Sequence, residues 1–282
     1  MLSILIPTYN YNVYPLVKSL YQQVNAIKIP FEIIVLDDAS ANSKTVTKNK
    51  EINNLENCSY TVLPTNIGRS AIRNLLAEKA QFNWLLFLDA DTMPVNDSLI
   101  SQYLPHLDEK EKVVYGGIKY QEQRPEKDKI LRWLYGNMRE ALPADKRNEA
   151  PHLSLLTLNF AIKKSVFEKV RFNENIPNLR HEDTLFSFNL QEKDIFVEHI
   201  ENPVYHLGLE SSEIFLKKSE ESVVGLKHLI DNKLLPHDYI RLSKTYISLK
   251  KNGMIYFMRL YFWMYRKLLR KMLLTNSPSL FA

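Results

Sequence analysis

The stretch "WLLFLDADTMP", Trp84–Pro94, joins an apolar run to two carboxylates. Five consecutive apolar residues read as a strand buried on both faces, as in a parallel sheet. The run ends in Asp89-Ala90-Asp91, and a carboxylate beside a core is costly unless something pairs with it. In extended chain, residues i and i+2 lie on one side, so the two carboxylates are expected together. Two readings suit them. They hold a hard divalent cation that brings phosphates with it, or one caps a helix beginning near Asn96.

Upstream, the same kind of strand recurs. "LSILIP" (2–7) reads as buried, and Tyr14, Leu16, Val17, Leu20, Tyr21 and Val24 follow at helical spacing. "FEIIVL" (31–36) ends at Asp37-Asp38. "SYTVLP" (59–64) is stopped by a proline, and a helix is expected over 69–79. This β-α-β-α-β order predicts a mainly parallel sheet with helices on both faces. Ligands bind such sheets at the carboxyl ends of the strands. Polar residues gather at those ends: Thr8-Tyr9-Asn10, Asp37-Asp38, Asn66 and Asp89/Asp91.

Downstream, "KVVYGGIKY" (112–120) reads as a strand with a Gly-Gly irregularity, and 127–141 as a helix. "LSLLTLNFAI" (153–162) reads as a strand and "KKSVFEKV" (163–170) as a helix. A polar loop runs into a helix starting near Asp183. "DIFVEHI" (194–200) is a short strand and "NPVYHLG" (202–208) a turn-bounded segment.

Other residues carry two readings each. Asp38 is an N-cap or an acceptor for a nucleotide. Arg69 and Arg73 lie i and i+4 near a helix start, where basic groups oppose the helix dipole. They are a surface pair, or they await an anion such as a diphosphate. Glu182 and Asp183 favour a helix start by charge alone, or supply a general base. His206 is a core histidine or a neutral nitrogen ligand to a metal.

Composition narrows the class. The 282 residues are 45% hydrophobic and 24% charged, ordinary for a globular protein. With seven glycines, Gly-rich phosphate loops are not expected. One cysteine forms no internal disulfide, so a reducing, cytoplasmic setting is expected. From Arg241 onward there are nine Lys/Arg and no Asp/Glu, leaving 28 basic against 32 acidic residues before it. In "MIYFMRLYFWMYRKLLRKMLL" (254–274), Arg259, Arg266 and Arg270 fall together at about 100° per residue, beside Lys267 and Lys271. Tyr261, Tyr265, Leu268 and Met272 lie opposite. This basic amphipathic helix suits the anionic inner face of a plasma membrane, or packs on the domain with its basic side in solvent. No nucleic-acid motif is present, so no nucleic-acid partner is expected.

Taken in order, "SILIPTYN", "IIVLDDAS", "NIGRSAIRN", "WLLFLDAD", "NFAIKKSVFEKV", "HEDTLF" and "PVYHLG" resemble the family 2 glycosyltransferases over roughly residues 1–210. No single motif is specific, but the ordered set is. The resemblance implies a GT-A fold, a nucleotide-sugar donor (UDP by family habit), a divalent metal (Mn²⁺ or Mg²⁺) and inverting transfer to a glycan or lipid-linked acceptor. It implies a nucleotide-binding half over about 1–95, an acceptor half over about 96–210, and a helical C-terminal extension over 211–282. Carried over by position, Pro7, Thr8 and Tyr9 line the base and ribose, and Asp38 accepts a pyrimidine N–H. Asn66, Gly68 and Arg73 lie along the nucleotide, and Asp89 holds the ribose. Asp91 ligates the metal, His206 completes its coordination, and Asp183 is the catalytic base with Glu182 beside it. The Gln-x-x-Arg-Trp element of processive synthases is absent after Asp183, which implies one sugar added at a time.

Two other classes remain in view. An inactive nucleotide- or sugar-binding subunit is expected to lack Asp91 or Asp183, and both are present. A nucleotidyltransferase is expected to carry a Gly-rich basic loop after the first strand, and "IPTYNYNVYP" has no glycine.

Overall fold

In the computed structural model, residues 1–254 are described together with 256, 257, 260, 263, 264 and 267. Two compact units result, one of residues 1–122 and 135–209, the other of 123–134 and 210–282.

The first unit opens β1 (Leu2–Thr8), α1 (Tyr14–Ile27), β2 (Phe31–Asp37), α2 (Ser43–Asn49), β3 (Cys58–Val62), α3 (Arg69–Lys79) and β4 (Trp84–Leu88). It continues with β5 (Thr92–Pro94), α4 (Leu99–Tyr103), β6 (Lys112–Tyr115) and β7 (Ile118–Lys119). After α5 (Ile130–Arg139), whose first turn belongs to the second unit, and α6 (Ala144–Asn148) come β8 (Asn159–Lys163), α7 (Lys164–Val170), α8 (Glu182–Glu192), β9 (Phe196–His199) and β10 (Val204–His206).

Seven strands form one sheet in the order β3-β2-β1-β4-β8-β6-β9. The first four are mutually parallel, β8 runs antiparallel to both β4 and β6, and β9 is parallel to β6. The quoted run is β4, at the centre of the sheet, and all five of its residues are buried. Each large apolar side chain so placed stabilises by roughly 1.5–3 kcal/mol. Leu5, Leu85 and Phe87 face a core shared with α3, α7 and α8. Ile4 and Ile6, also buried, point the other way along the strand.

Stacked rings carry that core from strand to helix. Phe87 lies 5.0 Å from Phe160 and 5.3 Å from Phe167. Phe186 stacks on Phe172 at 4.2 Å and lies 6.0 Å from Phe167. The helix that begins with Glu182 and Asp183 is thereby tied to the strand that leads into Asp89.

Several expectations change. Gly116-Gly117 is a change of sheet, because β7 joins a second sheet, β5-β10-β7. A Cβ on Gly116 would overlap the Asn202 carbonyl and the Asn159 amide, and Gly117 sits at φ +92°. Strand β8 starts at Asn159, not Leu153, since β4 offers it only five residues to pair with. The helix over 127–141 is a 3₁₀ turn, Lys127–Lys129, followed by α5. Helix α4 begins at Leu99 without a side-chain cap, so neither Asp89 nor Asp91 caps it. The Asp-Ala-Asp triplet is a turn, closed by the Thr92 amide (3.1 Å) and hydroxyl (2.7 Å) on the Asp89 carbonyl. The two-residue alternation of a strand therefore does not govern it.

In the second unit, α9 (Ser212–Asp231) is followed by α10 (Arg241–Lys251). The Ser212 hydroxyl donates to the Asp128 carbonyl at 2.6 Å, and the Arg132 guanidinium lies over the Phe215 ring at 5.5 Å. Residues 123–134 thus group with the C-terminal helices, although the sequence reading placed them in the acceptor half. Among the described residues, no helix is long and apolar enough to cross a membrane. Most of the amphipathic segment 254–274, including Arg259, Arg266 and Arg270, lies outside the described residues.

Candidate active site

The carboxyl ends of β1, β2 and β4 open on one cleft. Its walls include Pro7, Thr8, Tyr9, Asp38, Arg73, Asp89 and Asp91 from the sequence reading. They also include Tyr11, Arg69, Ile72 and Ala90. Asn66, Gly68, Glu182, Asp183 and His206 are not wall residues of this cleft. Gly68, Arg69 and Glu182 instead border a smaller hollow with Asn178.

Asp37 and Asp38 divide their work. Asp37 is fully buried, accepting from the Ser40 amide at 2.8 Å and from the Tyr60 hydroxyl. Asp38 accepts from the Ile67 amide at 2.7 Å and the Gly68 amide at 3.0 Å, while Asn66 donates to its carbonyl at 3.1 Å. Asp38 therefore caps no helix of its own and braces the turn that starts α3. A carboxylate has about four lone-pair positions, so two remain beyond these amides.

The arginines of α3 meet protein carboxylates. Arg73 is buried and pairs with Asp89 at 2.7 Å, and Arg69 pairs with Glu182 at 2.9 Å. The expectation that they await a diphosphate is corrected to this extent: a buried guanidinium needs a counter-charge in the protein itself. Withdrawal from water pushes the Asp89 carboxyl above its ordinary value, against the pull of Arg73 and with the charge of Asp91 adding. One Asp89 oxygen is committed to Arg73.

Asp91 is set by the second sheet. Pairing of β5 with β10 puts His206 opposite Thr92, and His206 Nε2 comes within 3.4 Å of Asp91 Oδ2. The Leu207 amide donates to the Asp91 carbonyl at 2.8 Å. Asp91 lies so close to Gly208 that a Cβ there would overlap its Oδ2. His206 Nδ1 is buried without a hydrogen-bond partner among the described residues. No group of three or more His, Cys, Asp or Glu converges among the described residues. One carboxylate oxygen and one imidazole nitrogen this close nevertheless fit a divalent ion that takes its remaining ligands from phosphate and water.

Helix α8 starts on a bend. Arg180 and His181 both have positive φ, +72° and +68°. Asp183 accepts from the Thr184 amide at 2.7 Å. Burial pushes its carboxyl above the ordinary value and the charge of Glu182 adds, while His181, the Thr184 amide and Arg69 pull it back. Tyr11, which the sequence reading passed over, lines the cleft; burial first, then Asp91, pushes its hydroxyl up. The polar "TYNYN" loop after β1 was the available signal.

The profile described as Glycosyl transferase family 2 matches residues 3–171, more than half of the chain. The chain belongs to glycosyl transferase family 2. A Haemophilus influenzae protein called an uncharacterized glycosyltransferase is 28% identical over 188 residues, covering 66% of this chain and 70% of its own. S. aureus TarS resembles this family 2 chain with a TM-score of 0.54 and 22% identity, over 79% of this chain and 39% of TarS. The shorter TarS 1–349 with UDP gives 0.54 and 21%, over 80% and 65%. The Pyrobaculum calidifontis mannosyltransferase PcManGT, with GDP-Man and Mn²⁺, gives 0.54 and 14%, over 79% and 62%. The chain thus spans about two fifths of that TarS chain, 39%. At such identities these likenesses are of fold, and the mixed, mainly parallel sheet flanked by helices is the GT-A type.

Proposed function

We propose that this family 2 domain moves a sugar, with inversion, from a nucleotide-sugar, UDP foremost, to a hydroxyl of a glycan or lipid-linked acceptor. The observation that carries the reading is the convergence of Asp38, the Arg73–Asp89 pair and Asp91 on one cleft at the strand ends. That structural neighbours hold UDP, UDP-GlcNAc, or GDP-Man with Mn²⁺ supports it.

In this reading Pro7, Thr8 and Tyr9 contact base and ribose, and Asp38 uses its remaining lone pairs for a pyrimidine N–H. Asn66 and Gly68 keep the turn beside the nucleotide. Asp89 offers the ribose the oxygen that Arg73 leaves. Asp91 and His206 would hold Mn²⁺ or Mg²⁺, which supplies charge neutralisation for a departing diphosphate. Asp183 takes the proton of the acceptor hydroxyl. Its raised pKa makes it a stronger base than a free Asp side chain, and Glu182 stays paired with Arg69.

Calorimetric titration of UDP, with and without Mn²⁺, tests the reading on wild type and Asp91→Asn. Manganese-dependent binding lost in the variant supports it. Equal binding in all four titrations removes the metal role. Binding of UDP-sugars with no turnover favours the inactive subunit instead. The basic run after Arg241 and the exposed Tyr256, Phe257 and Trp263 favour peripheral contact with anionic lipid. Failure to co-sediment with phosphatidylserine vesicles at low salt would end that part of the proposal.

A further inference from the structure

We infer that Arg69 is a positioning residue: it clamps the bend before α8 and fixes the charge beside Asp183, an inference that rests on Asp183 acting as base. Arg69 opens α3 and lines the small hollow together with Asn178 and Glu182, the residues that flank that bend. Its Nε donates to Asn178 Oδ1 at 3.0 Å, and its Nη1 meets Glu182 Oε1 at 2.9 Å. These two contacts fall on either side of Arg180-His181. Two successive non-glycine residues in the left-handed region persist only where the surroundings hold them. His181, the N-cap residue, gives the helix no side-chain cap hydrogen bond, and the Thr184 amide is taken by Asp183 itself. The His181 ring meets the Thr184 hydroxyl at 3.1 Å, a bond that stays within the helix start. Arg69 adds a tie from α3 that spans both residues of the bend.

The same guanidinium sets the electrostatics. The charged and titratable groups acting on or around Asp183 include Glu182 and His181 from its own helix, Arg69 and Arg73 from α3, and Tyr115 from β6, with Arg180 next to them in the bend. Glu182 is the adjacent negative charge, and Arg69 neutralises it at contact distance. Without Arg69 the Glu182 charge would stand unneutralised beside Asp183, and Asp183 would hold its proton to higher pH. Arg69 is also a wall residue of the donor cleft, so one side chain borders both the nucleotide and the base.

The test needs no donor. Carboxyl NMR titration of the Glu182/Asp183 pair, assigned with E182Q and D183N, is compared in wild type, R69Q, R69K and N178A. Amide exchange over 179–184 is measured alongside. R69Q is expected to raise the apparent pKa of Asp183 by about one unit and to speed exchange about ten-fold or more. R69K keeps the charge and loses the fork, so exchange rises while the titration moves less. N178A speeds exchange and leaves the titration in place. If R69Q does not fold, R69M takes its place in the titration, where an unmoved curve likewise overturns the charge role, and R69K and N178A still test the clamp. Unchanged exchange in all variants that fold overturns the clamp, and an unmoved titration in R69Q overturns the charge role. The pH profile of UDP-GlcNAc hydrolysis then separates this inference from the base reading. An acid limb that follows the NMR shift supports both. A moved titration with an unmoved limb leaves Arg69 in place and removes Asp183 as base.

Discussion

Asp91 is held by what lies next to it. The Gly208 backbone passes so close that any side chain there would overlap the carboxylate. Gly208→Ala should therefore turn Asp91 away from His206. The expected result is at least a ten-fold loss of manganese-dependent UDP affinity, with the melting temperature within a few degrees of wild type. Calorimetry and thermal melts on one sample check both halves. At this scale the sequence disclosed which residue types bear the chemistry: six of the cleft's wall residues were legible at strand ends, and Arg69 and Arg73 as a pair near a helix start. The partners were not legible. Nothing in "GRSAIR" says that Arg73 will meet Asp89 while Arg69 meets Glu182, because both pairings join segments far apart in the chain. Tyr11 was missed for the same reason: its link to the cleft is through Asp91, eighty residues on.

Elements carry the site through their packing. Helix α8 is anchored by Phe186 against Phe172, Phe167 and Phe160. Phe186→Ala should cost about 3–5 kcal/mol of stability, the usual range for emptying an aromatic site in a core. It should also weaken any activity that depends on Asp183, which rides on the same helix. Urea melts give the first quantity, and the ratio of residual activity to folded fraction gives the second. Strands β1, β2 and β4 were legible because a strand buried on both faces needs an unbroken apolar run. Strand β8 was over-read: Leu155 is buried without pairing, and apolar periodicity does not separate those two fates. The Gly-Gly break was visible, but its meaning was not. Only the approach of Asn202 and Asn159 makes it a change of sheet.

For the molecule as a whole, pH acts through a buried histidine. His199 Nδ1 accepts from Arg147 at 3.1 Å, and its Nε2 donates to the Pro151 carbonyl at 2.8 Å. The ring is therefore neutral, and burial lowers its pKa to about 4. The unfolded chain takes up this proton near pH 6.5, well before the folded one does. Stability is fully present above 6.5 and is lost as pH falls toward 4, by about 3 kcal/mol from this group. Urea midpoints between pH 7 and pH 4 measure it, and a flat profile would contradict the geometry. The charge run after Arg241 was the one feature at this scale that composition alone exposed. The discontinuity of the second unit was hidden, since a detour such as 123–134 leaves no mark in local pattern.

The strand order also has a consequence in time. Strand β6 has no neighbour in the large sheet except β8 and β9, and both are synthesised after it. On the ribosome, β3, β2, β1 and β4 can assemble as soon as Leu88 emerges, but β6 waits for Asn159–Lys163. At roughly 5–20 residues per second that interval lasts on the order of 4–15 s. Throughout it β4, five apolar residues long, is an open edge with its backbone groups unmet, the kind of surface on which nascent chains associate. Strand β8 closes that edge and gives β6 a place at the same moment, so the one strand that is antiparallel to both its neighbours sets when the two parts of the large sheet can join.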